Sequence, residues 1–271
     1  MNAIFIRLSD IHSDYMQIII SPAKTMVESS SIVMNNATVP RFQKNATEIA
    51  WLMANYSVEE LKKTLKLSPK LAIESYQRFH DFHSTESEGL QALLAYTGVV
   101  FKHIHPEDFT PEEFIFSENH LRIVSICYGL LKASDKIKPY RMEYDIKLPE
   151  LSAGNMYQYW QNIQTETLIN DIKNDDGILF NLASLDVQPS FLWKNVEKEV
   201  RIITPEFKVL KDGKAKTVVI YAKMARGEMC RHIIKNKITN PEELKAFQWE
   251  GFIYREDLST ENNWVFLQDS F

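Results

Sequence analysis

The chain has 271 residues, 45% of them apolar and 25% charged, a globular mixture that excludes a disordered or fibrous protein. A chain this long can bury a sizeable core, as one domain or two, without metal or disulfide staples. Lys and Arg number 31 against 36 Asp and Glu, a net charge of −5. The overall basic balance of many nucleic-acid binders is therefore missing, and any phosphate site has to be a local patch.

Met1 to Tyr15 has a short apolar start, Ala3 to Ile6, but neither a continuous apolar run nor a small-residue cleavage site. No signal peptide is expected there. Met16 can itself serve as an initiator, so residues 1–15 are expected to be an extension outside the fold. The run Met16 to Ser21 reads as a buried strand stopped by Pro22. Phe42, Ala46, Ile49, Ala50 and Met53 fall at helical spacing between Pro40 and Tyr56. Ser57 then caps a second helix, with Glu60 at the capping-box position, and Ser68-Pro69 starts a third.

Ala92 to Tyr96 reads as a short strand and Val99 to Ile104 as a helical turn. Thr110 opens a helix with Glu113 in capping-box position, and Ile123 to Tyr128 has strand character. Asn155 to Lys173 is a long helix ended by Asp175-Asp176-Gly177 before a strand at Ile178 to Leu182. Val200 to Leu210 and Lys214 to Ala222 read as strands joined through Asp212-Gly213. Helices at Met224 to Lys237 and Pro241 to Phe247, then strands near Gly251 to Tyr254 and Trp264 to Leu267, complete the chain. No Pro/Gly/Ser linker follows Met16, so one mixed α/β domain with a mixed sheet surrounded by helices is expected.

Two cysteines, Cys127 and Cys230, are too few for a disulfide framework, and a reducing cytoplasm is the expected compartment. No run approaches about 18 apolar residues, so neither a spanning helix nor a membrane partner is expected.

Three basic stretches could meet phosphate. Ser21-Pro22-Ala23-Lys24-Thr25 follows the first strand, where ligand loops often sit, although it lacks the glycines of a nucleotide fingerprint. Tyr128 to Arg141 carries Lys132, Lys136, Lys138 and Arg141 against the single acid Asp135, with Tyr140 alongside. Lys223 to Lys237 holds Lys223, Arg226, Arg231, Lys235 and Lys237 against Glu228, and Gly227 would let another backbone come close. Exposed helix faces and solvated loops explain such runs too. The segment Leu61 to Phe79 has the layout of a helix-hairpin-helix, with Lys62, Lys63, Lys66 and Lys70 around the turn. Ser68 and Pro69 stand where such hairpins usually carry glycine, and an ordinary helical pair fits as well. His80 with His83 and His103 with His105 could each supply two metal ligands, yet spacing places no third, so neither metal nor cofactor is expected.

Ile20-Ser21-Pro22-Ala23-Lys24-Thr25, Tyr128-Gly129-Leu130-Leu131, Pro139-Tyr140-Arg141-Met142-Glu143, Met156-Tyr157-Gln158-Tyr159-Trp160, Asn181-Leu182-Ala183-Ser184, Lys223-Met224-Ala225-Arg226-Gly227 and Glu250-Gly251-Phe252 follow one another in this order. Together they resemble the YaaA family of peroxide-stress proteins over about residues 16 to 268. Members of that family start at the residue matching Met16. The resemblance implies a cytoplasmic bacterial protein that limits hydrogen peroxide damage and is associated with lowering free iron. It also implies an unusual fold with a basic cleft and a helix-hairpin-helix, binding double-stranded and structured DNA.

The leading expectation is sequence-independent DNA binding, with no obligate protein partner. Lys24, Arg141, Lys223 and Arg226 would line the cleft, with Lys132, Lys138, Arg231, Ser68 and the hairpin lysines on backbone phosphates. Ser21, Thr25, Tyr140, Asn181 and Ser184 would supply its polar groups. The alternative is an enzyme acting on a phosphorylated small molecule or nucleic acid in the same cleft. A third reading is iron held by the four histidines.

Overall fold

The computed structural model describes residues 16–269 except 33, 35, 86 and 87, so the extension expected at residues 1–15 lies outside the described residues. In chain order the elements are β1 (Gln17–Ile20), α1 (Gln43–Ala54), α2 (Val58–Thr64), α3 (Pro69–Asp81), β2 (Leu90–Gln91), α4 (Ala92–Ala95), α5 (Val99–Ile104) and α6 (Pro111–His120). They continue with β3 (Leu121–Ser125), β4 (Gly129–Lys132), β5 (Lys136–Ile137), α7 (Met156–Lys173), β6 (Ile178–Asn181) and α8 (Trp193–Glu199). The last are β7 (Arg201–Lys211), β8 (Lys214–Lys216), α9 (Val219–Asn236), β9 (Phe252–Tyr254) and β10 (Asn263–Gln268).

Helix starts follow the caps the sequence offers. Ser57 and Thr110 each make a complete capping box, and the side chains of Ser68 and Asn155 accept from Leu71 N and Gln158 N. Each such cap typically stabilises a helix by about 1 kcal/mol.

The main sheet has the order β4-β3-β1-β6-β7-β10-β9, with β8 paired to β7. Its five inner strands run parallel, and β4, β8 and β9 add antiparallel pairs. Parallel strands are covered on both faces, and all four residues of β1 are buried. Helices flank the sheet, and every helix contributes side chains to one hydrophobic core that includes the fully buried Trp160 and Trp264. The result is a single compact mixed α/β domain. No helix of the described residues is long and apolar enough to cross a membrane.

The sheet differs from the expected elements in three places. Ala92 to Tyr96 makes a one-turn helix, because Ala92 N and Leu93 N bond sideways to the carbonyls of Asp135 and Ala133. The strand expected at Ile123 to Tyr128 begins at Leu121 and ends at Ser125, beyond which the chain turns back into β4. The β-branched run Thr217 to Ile220 leaves the hairpin after Lys216 and enters α9, where Val219 and Ile220 stay exposed and the later turns, around Gly227, pack against α5 and hold the helix.

The chain passes from β1 to β3 on one side and later to β6 on the other. At such a reversal the loops leaving the strands splay apart and open a crevice beyond their carboxyl ends.

Candidate functional site

A cleft of about 840 Å³ occupies that crevice. Its floor is built by the loops leaving β1, β3 and β6, represented by Ser21 to Thr25, Ile126, and Leu182 with Ser184. Ser21 Oγ accepts from Ser184 N at 2.8 Å and lies 3.0 Å from Ser184 Oγ, which ties the β1 and β6 loops together. The β1 loop is also fastened to α4 and its following residues by Val27 N to Ala95 O and Thr97 N to Thr25 O.

Three further segments form the walls. One is the α2–α3 turn, Thr64 to Ser68, where Lys66 takes a left-handed backbone with φ of 53°. That conformation is uncommon outside glycine and lets two short helices turn back on each other. The second is the stretch from Tyr140 to Asp145. The third is the first half of α9, which brings Lys223 and Arg226. Gly227 places that helix, since a Cβ there would lie 2.4 Å from Val100 O and 2.6 Å from His103 Cβ in α5. The backbone that Gly227 admits is thus that of a neighbouring helix.

Five cations line the cleft: Lys24, Lys66, Arg141, Lys223 and Arg226. Lys24 pairs with Glu143 at 2.6 Å. The other four have no ion-pair partner among the described residues. Arg141 donates to Lys24 O at 3.2 Å, but its Nε is buried without an acceptor, as is the Nε of Arg226. Burial pulls the Arg226 guanidinium below its ordinary value, against the opposing pull of Asp186 and Glu206. A guanidinium nevertheless stays charged at neutral pH. Three carboxylates, Glu143, Asp145 and Asp186, share the lining.

Tyrosines back the Tyr140 to Asp145 wall. Tyr140 Oη lies 2.7 Å from Ser125 Oγ and 2.9 Å from Tyr96 Oη, a buried hydroxyl cluster at the end of β3. Burial foremost pushes the Tyr140 phenol up to about 12, so it holds its proton at neutral pH. Tyr144 and Tyr157 stack with ring centres 4.5 Å apart and planes 9° from parallel.

The structure therefore brings together Ser21, Lys24, Thr25, Lys66, Ser68, Tyr140, Arg141, Ser184, Lys223 and Arg226. The remaining candidates fall elsewhere. Lys132 pairs across the sheet with Arg122, near the opposite end of β3, and its Nζ lies 3.4 Å from Glu118. Lys138 Nζ donates to the carbonyls of Phe82 and Ser84. Arg231 grips Asp108 with both terminal nitrogens, at 2.8 and 2.6 Å, and also bonds Ile104 O and His105 O. It locks α9 to the end of α5. Lys62 pairs with Glu59 at 3.4 Å, and Lys63 and Lys70 are exposed outside the cleft lining. Asn181 is buried and spends its amide on Thr204 Oγ1 and Ala183 N, shaping the β6 turn.

The family model described as "Peroxide stress protein YaaA" matches residues 16–258. The chain belongs to the YaaA family. It is 61% identical over 254 residues to a UPF0246 protein of Parabacteroides distasonis, covering 94% of this chain and all of that relative. A UPF0246 protein of Bacteroides fragilis is 52% identical over 93% of this chain and 98% of its own length. One from Clostridium botulinum is 38% identical over 94% of this chain and all of its own.

The four histidines do not gather in this YaaA family member. His80 Nδ1 lies 2.9 Å from Tyr76 O, while His103 and His105 pair with Glu228 and Glu107. Among the described residues no group of three or more His, Cys, Asp or Glu could hold a metal ion. Sequence reasoning passed over Glu143, Asp145, Asp186, Tyr144 and Tyr157. Glu143 and Tyr157 lie inside quoted family motifs, which was a usable signal. Asp186 had none.

Proposed function

We propose that this YaaA family member binds double-stranded and structured DNA through the cleft, without strong sequence preference, and helps limit iron-dependent peroxide damage in the cytoplasm. The observation that carries the reading is the gathering of five cations from four separate stretches in a chain of net charge −5. Phosphate contacts supply affinity without reading sequence. The cations sit on loops and a helix face, which suits backbone recognition. Membership of a peroxide-stress family supports the physiological half, in which DNA coverage and iron control both reduce damage.

Salt titration of duplex binding, followed by fluorescence anisotropy, tests the interface. If Lys66, Arg141, Lys223 and Arg226 each meet a phosphate, log affinity falls against log salt with a slope of about −3.6. The double variant Lys223→Ala with Arg226→Ala should bring the slope to about −1.8. A flat salt response, or a double variant that binds as the parent does, overturns the proposal.

A further inference from the structure

Part of the cleft does not suit a simple rail for phosphates. Glu143, Asp145 and Asp186 line it beside the cations, and Asp145 and Asp186, which unlike Glu143 have no ion-pair partner among the described residues, would repel a passing backbone. Burial first and then all three carboxylates push up the Tyr157 phenol, and Asp186 opposes the effect of burial on the Arg226 guanidinium, so acids, ring and cation share one neighbourhood. Carboxylates only accept hydrogen bonds, and they fit a ligand that carries N–H or O–H donors as well as an anion.

The cations also lie at two levels. Lys24, Lys66 and Lys223 are exposed, whereas Arg141 and Arg226 are recessed, each with a buried Nε that has no acceptor. A buried N–H left unpaired costs free energy that an arriving anion returns, and a guanidinium fits phosphate oxygens two at a time. The half-buried Tyr157 lies flat on the buried Tyr144 behind it, at 4.5 Å and 9°. A ring backed in this way is a platform for a planar base. The volume of about 840 Å³ falls within the roughly 300–1,000 Å³ of small-ligand sites.

We infer that the floor of the cleft is a binding site for a single nucleotide. Its phosphate sits on Arg141 and Arg226, its base on Tyr157, and its amino or hydroxyl donors on Asp186, Glu143 and Asp145. Two sources bring this chemistry: a free nucleoside monophosphate, or an unpaired nucleotide turned out of a DNA strand. Only the second rests on the DNA-binding reading.

The test uses the full chain. Calorimetric titration compares dAMP, deoxyadenosine and inorganic phosphate, and anisotropy compares a paired duplex with one carrying a single bulged adenosine. Binding of dAMP should exceed that of deoxyadenosine and of phosphate by about tenfold each, because phosphate and base are held by separate groups. Tyr157→Ala should weaken dAMP about tenfold and phosphate no more than about twofold. Arg226→Met should weaken both ligands about tenfold. If that variant fails to fold, as a lost melting transition would reveal, Tyr157→Ala with Asp186→Asn decides. If the nucleotide comes from DNA, the bulged duplex binds about tenfold more tightly than the paired one, and Tyr157→Ala removes that preference.

Paired and bulged duplex binding equally, with dAMP no better than phosphate, overturns the single-nucleotide site while leaving duplex binding intact. Saturable dAMP binding without duplex binding supports the site and refutes the DNA interface instead.

Discussion

Adding one methyl group at Gly227 should force α5 and α9 apart. The new Cβ would stand 2.4 Å from Val100 O and 2.6 Å from His103 Cβ, whereas ordinary contact begins near 3.4 Å. The helices must therefore separate by about 1 Å at this point. The obstacle is a backbone carbonyl, which cannot swing aside as a flexible side chain would. Nor can α5 retreat freely, since a Cβ at Gly98 would already be 2.7 Å from Ala23 Cβ in the β1 loop. Alanine in place of glycine favours a helix interior by about 1 kcal/mol, while overpacking a tight contact costs about 1–3 kcal/mol. With two hard contacts at once the second effect wins, for a net loss of about 1–2 kcal/mol. In a domain of this size the melting temperature falls by roughly 2–8 °C, measured by calorimetry at neutral pH. Duplex affinity should fall as well, because Lys223 and Arg226 ride on the turn just before. A Gly227→Ala variant that melts at or above the parent temperature would refute this account of how α9 is placed.

His120 and the two cysteines give sharper chemical readouts. Burial lowers the His120 imidazole to about 4, so below about pH 6.5 the unfolded chain takes up a proton that the folded one refuses. Stability is full above pH 6.5 and falls towards pH 4, by up to about 3 kcal/mol. Urea titrations across that range should show His120→Gln with a shallower decline than the parent. An identical decline would remove His120 as the cause. Burial raises the thiols of Cys127 and Cys230 well above their ordinary range, and a protonated thiol is a poor nucleophile. Mass spectrometry after iodoacetamide or dilute hydrogen peroxide should find both unmodified in the native protein and both reactive in denaturant. Modification of either thiol under native conditions would contradict their burial.

What could be read from the sequence was local. The caps at Ser57, Ser68, Thr110 and Asn155 lie within a few residues of the amides they satisfy, so short patterns carry them. The β7–β8 hairpin was visible for the same reason, since Asp212 and Gly213 both take positive φ, at 54° and 68°. Elements decided by remote partners were not visible. The apolar run Ala92 to Tyr96 is equally strand-like and helical until the carbonyls of Ala133 and Asp135 claim its amides. Clustered charge along the chain misled in a comparable way. Lys132 and Arg231 sit in basic stretches, yet their partners, Glu118 and Asp108, come from elsewhere in the chain. The cleft cations were individually legible. Of the carboxylates among them, Glu143 stands in a motif, but Asp186 stands in none and gains meaning only from its neighbours in space.

The central position of β1 also governs when the site can exist. Ile18 pairs with Leu121 on one side and Phe180 on the other, so the strand that carries Ser21 to Lys24 waits for partners more than a hundred residues away. Topologies built on such distant pairings fold slowly. During synthesis the first basic segments emerge long before α9 delivers Lys223 and Arg226, and no early fragment can assemble the cleft. Affinity for phosphate is therefore a property of the finished domain, acquired late, and a chain cut before α9 would keep most of its lysines while having nowhere to gather them.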